Sequence, residues 1–69
     1  MLNQIERNTR WLEKLQGEQR EHVEQEIARQ KRALVKYLDG NMPKRTARRI
    51  IDRSSKRVAW IVAGGDANA

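Results

Sequence analysis

The chain has no cysteine and no phenylalanine. It has one proline, one histidine, one tyrosine and two tryptophans among 69 residues. Without cysteine there is no disulfide to staple a small fold and no thiolate for a structural zinc. A single histidine excludes a multi-histidine metal site within one chain. Glu18, His22 and Glu26 form a column at helical spacing, but ordinary helix-surface pairing is the simpler account of it. The longest apolar run, Val58 to Ala63, falls far short of the 18 or so residues that span a bilayer. The first residues lack the apolar core of a secretory signal. Glycine-rich phosphate loops are missing, and the lone His22 has no nucleophile beside it in sequence. These absences argue against an enzyme, a cofactor or a membrane span. With no signal and no cysteine, they point to a cytoplasmic protein.

What is present is charge, and it is unevenly placed. The chain carries 15 Lys/Arg against 9 Asp/Glu, a net of +6. Residues 1–42 hold eight bases and seven acids, a net of +1, while residues 43–69 hold seven bases and two acids, a net of +5. Such asymmetry reads as a near-neutral scaffold joined to a basic working segment.

The only strong break in the pattern is Asp39-Gly40-Asn41-Met42-Pro43. Gly40 suits the residue just past a helix that ends near Leu38 or Asp39. Pro43 suits the first turn of the next helix. Before this turn, Leu2, Ile5, Leu12, Val23, Ile27, Leu34, Tyr37 and Leu38 recur at helical spacing, with Thr9, Gln16, Gln19 and Gln30 in the same arc. Trp11 and Leu15 widen one shoulder of the stripe. The stripe keeps its phase through Gly17, and no capping residue follows that glycine. This predicts one long helix from about residue 2 to 39, roughly 57 Å in length. The alternative is a break at Gly17 that yields a compact three-helix domain.

Residues 44–63 read as a second amphipathic helix folding back on the first, an αα-hairpin. Ala47, Ile50, Ile51, Ser54, Val58, Ile61 and Val62 share one face. A helix break at Ser54 or Ser55, or a short strand over 58–63, is an alternative local reading. The expected fold class is therefore all-α, with one domain over 1–63 and a disordered tail over 64–69. A long, thin stripe interrupted by glutamines suits pairing with a second chain. It predicts a homodimer in a four-helix arrangement, joined through Ile5, Leu12, Val23, Ile27 and Leu34.

The functional signal lies in residues 44–60. Lys44, Arg45, Arg48, Arg49, Arg53, Lys56 and Arg57 face a single acid, Asp52. Arg45, Arg49, Arg53 and Arg57 stand at successive i, i+4 positions, a spacing that is self-repulsive by about 0.2–0.5 kcal/mol per pair. Lys44 and Arg45 sit where the helix dipole disfavours cations. Trp60 projects among these bases, one turn beyond Lys56. A polyanion relieves stacked cations, and an indole stacks on an unpaired base. The expected function is thus a small nucleic-acid-binding protein, regulatory or accessory, with DNA slightly favoured over RNA. The rival expectation is an adaptor or inhibitor whose basic helix docks an acidic protein. A membrane-surface helix fits less well, because Trp60 lies on the basic face and not the apolar one.

Overall fold

A computed structural model describes residues 1–65, and within them the chain is entirely helical. Helix α1 spans Leu2–Arg10 and tightens into a 3₁₀ turn at Trp11–Glu13. Helix α2 spans Gly17–Leu38 and helix α3 spans Lys44–Val62.

The expected long helix does not form. Its length of about 57 Å exceeds the longest dimension of the fold, 35 Å. The chain turns because Gln16 is extended, at φ −138° and ψ 160°, and Gly17 adopts φ +64°. A side chain there would cost about 1–2 kcal/mol for the left-handed conformation, although the space around Gly17 is open. Before the turn, the N–H groups of Lys14 and Leu15 both donate to the Trp11 carbonyl, at 3.0 and 3.1 Å. That closes α1 without a side-chain cap.

The turn between α2 and α3 follows the sequence pattern. Asp39 is the C-cap of α2, and Gly40 follows at φ +78°. The Gly40 N–H donates to the Tyr37 carbonyl at 3.1 Å, and the Asn41 N–H to the Lys36 carbonyl at 2.8 Å. This is the Schellman arrangement, which satisfies carbonyls that the helix end would leave open. Pro43 (φ −62°, ψ 147°) then leads into α3. No break occurs at Ser54 or Ser55, which lie inside α3, and residues 58–62 are helical. The expected tail begins with Gly64 and Gly65. Residues 66–69 lie outside the described residues.

The core is aliphatic and small. Ile5, Val23, Ile27, Ala33, Ile51, Val58 and Ile61 form it, with Leu12, Leu15 and Leu34 packed at its margin. The stripe that suggested pairing is therefore covered within one chain. Ile5, Val23 and Ile27, expected at a dimer interface, are core residues, and Leu12 and Leu34 lean on the same core. Once the chain breaks at Gly17, α1 and α3 cover what a second chain was expected to cover. Leu2 and Leu38, at the ends of the stripe, remain exposed.

One polar layer crosses the core and joins all three helices. The Asn8 amide donates to the Gln30 Oε1 at 3.1 Å and to the Ser55 Oγ at 2.9 Å. The Gln30 amide donates to the Ser54 Oγ at 2.9 Å. The Ser54 hydroxyl faces the Glu26 carbonyl and its Oε1, at 3.1 and 2.9 Å. Among the described residues no buried side-chain N or O lacks a partner. A satisfied network of this kind fixes the register of the helices, since any slip would orphan a buried polar group. The glutamine that suggested a dimer, Gln30, is thus answered by Asn8 and Ser54 of its own chain.

Candidate nucleic-acid interface

Helix α3 sorts its side chains by helical spacing. Ala47, Ile51, Ser54, Val58 and Ile61 are buried against α1 and α2. Their spacing of three and four residues turns the opposite side of the helix to solvent. Arg45, Arg48, Arg49, Arg53 and Lys56 are all exposed. Together with Asp52 they line a shallow, open groove of about 570 Å³. Lys44 is exposed at the first turn, outside that groove. No acid lies in the first turn of α3 to offset Lys44 and Arg45.

The single acid of the helix is already engaged. The Gln4 amide of α1 donates to Asp52 Oδ1 at 2.8 Å. Among the described residues, ion pairs form at Arg20, Arg29 and Arg57, and none forms at the five cations of the groove. Their mutual repulsion is left for solvent, salt or a ligand to screen.

The arginine column expected from sequence is divided. Arg45, Arg49 and Arg53 line the groove, whereas Arg57 Nε reaches the buried Glu26 carboxylate at 3.3 Å. Arg57 belongs to a second cleft of about 520 Å³ between α2 and α3, with Glu26, Arg29, Ile50, Arg53 and Ser54. Arg53 borders both surfaces. Arg29 was not singled out by the sequence. It joins the cleft only because α2 packs on α3, a relation no local pattern carries. The cleft also accounts for one member of the Glu18, His22, Glu26 column. Glu26 turns inward to Ser54 and Arg57. Among the described residues, no group of three His, Cys, Asp or Glu is placed to hold a metal ion.

Trp60 lies where the helical spacing puts it, one turn beyond Lys56, and the residue is 55% exposed. Its indole rests against Gly65, where an added Cβ would come within 2.3 Å of the ring. The Gly65 N–H donates to the Trp60 carbonyl at 2.9 Å, and the Gly64 N–H to the Ile61 carbonyl at 3.1 Å. This second Schellman end holds the backbone against one side of the indole and fixes where the ring stands.

No helix among the described residues is long and apolar enough to cross a membrane. No family model, no curated protein and no solved structure matches this chain.

Proposed function

We propose that this chain is a small nucleic-acid-binding protein, regulatory or accessory in role, that engages phosphates through the outer face of α3. The observation that carries this reading is the groove of Arg45, Arg48, Arg49, Arg53 and Lys56, whose one acid is held by Gln4. Four of the five are arginines, whose planar fork binds phosphate oxygens in pairs and suits recognition more than bulk solubility. A face of arginines and one lysine neutralises phosphates first, so binding is dominated by counterion release and is broadly tolerant of sequence. A helix also fits the major groove of DNA but not the narrow groove of A-form RNA, which ranks duplex DNA above duplex RNA. The reading needs one chain only. A homodimer is not required for any part of it.

The test is a salt titration of labelled duplex and single-stranded DNA and RNA, with co-purification from extract before and after nuclease. Steep loss of affinity with salt is expected. If the protein binds no nucleic acid at low salt and instead retains one acidic protein after nuclease, the adaptor reading replaces this one.

A further inference from the structure

This chain leaves both of its largest aromatic side chains outside its core. Trp11 and Trp60 are exposed to 37% and 55%, while the core is built from isoleucine, valine and alanine. Burying a tryptophan is among the strongest ways to stabilise a small fold. A chain with no phenylalanine and one tyrosine leaves both indoles partly in solvent, and that of Trp11 stands among cations.

Trp11 lies at the end of α1 and lines a depression of about 200 Å³ with Arg7, Arg10 and Lys14. No carboxylate lines it among the described residues. Lys14 Nζ stands 5.6 Å from the ring centroid, within cation–π range of the indole. The depression is small and open, so it suits a single ring and not a folded domain. The register of the helices ties it to α3. Gln4 bonds Asp52 and Asn8 bonds Ser55, so α1 and α3 run side by side in the same direction. Trp11 follows Asn8 by about one turn, so its depression lies just beyond the part of α1 that bonds Asp52 and Ser55 of α3.

We infer that Arg7, Arg10, Trp11 and Lys14 form a base-stacking site for a single-stranded nucleic acid. An unpaired base lies against the indole of Trp11, and its flanking phosphates meet Arg7, Arg10 and Lys14. The strand continues onto α3. For that path the inference rests on the phosphate-binding reading of the α3 groove. A base paired inside a duplex cannot offer its face to the ring, so this site selects unpaired strands, whereas the α3 groove alone does not.

The experiment uses the Trp60→Phe protein, in which Trp11 is the only tryptophan, and follows its emission during titration with a short oligothymidylate at low salt. Stacking should quench the emission. In the otherwise natural chain, Trp11→Ala should weaken oligothymidylate binding by about 5- to 150-fold and leave binding of a duplex of equal length unchanged. Arg49→Gln with Arg53→Gln reports on α3 separately and should weaken both ligands. Unchanged oligothymidylate affinity in a folded Trp11→Ala protein overturns the inference. The α3 reading then stands or falls on the Arg49 and Arg53 variant alone. If that variant binds normally while Trp11 is still quenched, the α3 reading fails and the Trp11 site survives. Should Trp11→Ala not fold, the pair Arg7→Gln and Arg10→Gln removes only exposed charge. It must lower both oligothymidylate affinity and quenching, and wild-type behaviour in that pair sinks the site.

Discussion

Helices α2 and α3 are similar in length and pack on each other, yet they handle charge in opposite ways. Helix α2 carries four glutamates and five Lys/Arg, and α3 carries one aspartate and seven Lys/Arg. On α2 two of the five cations reach a carboxylate about one turn away, Arg20 to Glu24 at 2.9 Å and Arg29 to Glu26 at 3.8 Å. Such charges cancel locally and produce little field beyond the first water layers. On α3 a single acid, Asp52, stands among seven cations, so the cation potentials add along the groove. The inner faces of the same two helices do not differ in this way. Both place aliphatic residues around a polar pair, with Glu26 and Gln30 from α2 meeting Ser54 from α3. Charge and packing are thus written on opposite sides of α3, and each side can be altered with little effect on the other.

The largest effect tests the inner faces. Ile27→Asp puts an unpaired carboxylate into the core and should cost about 3–5 kcal/mol, enough to unfold a domain this small. Circular dichroism melts of the variant and the natural chain should bear no resemblance. Coincident melts would mean that α2 does not turn this face inward.

Next comes the outer face. Arg49→Gln, Arg53→Gln and Lys56→Gln together should flatten the dependence of log affinity on log salt by roughly two to three units on duplex DNA. The matching triple on α2, Lys31→Gln, Arg32→Gln and Lys36→Gln, removes the same formal charge. It should leave that slope nearly as it was. Equal losses from both triples would show that net charge, and not the α3 face, sets binding.

Ser54→Ala sharpens the line between the two sides of α3. It leaves every groove cation in place but removes the hydroxyl that Gln30 and Glu26 use. The expected destabilisation is about 1–3 kcal/mol, read as a fall in Tm of roughly 4–20 °C. The salt slope should not move. A variant that melts normally but loses binding would place Ser54 in the site and not in the scaffold.

The smallest effect has a sign that differs between the helices. Glu24→Gln deletes the attraction to Arg20 and should lower stability by about 0.2–0.5 kcal/mol. Arg49→Gln relieves repulsion along α3 and should raise stability by a similar amount. Thermal melts at low and high salt should bring both shifts toward zero. Two shifts of the same sign would contradict the electrostatic contrast between α2 and α3.

The basic face is legible in the sequence because it depends on one helix alone. Placing Arg45, Arg49 and Lys56 opposite Ala47, Ile51 and Val58 needs only the helical repeat. The turn at Gly40 is equally open, since a glycine with a proline three residues later leaves few backbone choices. The break at Gly17 is not. Its N-cap, Gln16, makes no side-chain hydrogen bond, so the usual signal of a new helix is missing. The apolar stripe runs through in phase, and one glycine in a helix is a tolerable cost. Arg57 is misleading for a related reason. Its spacing belongs to the arginine column, but its guanidinium answers a carboxylate on another helix.

By itself, then, the sequence determined what is local: helical content, the Gly40–Pro43 turn, the amphipathic split of α3 and the concentration of cations on its far side. These follow from backbone dihedral preferences and a repeat of 3.6 residues. Tertiary structure decided what depends on residues far apart in the chain. It set the reversal at Gly17 that lets the chain cover its own stripe. It joined Asn8 to Ser55, 47 positions away, and drew Arg57 toward Glu26. It also left Trp11 outside the core. Each of these is settled by which helices pack together, and by the cost of leaving a buried polar group without a partner.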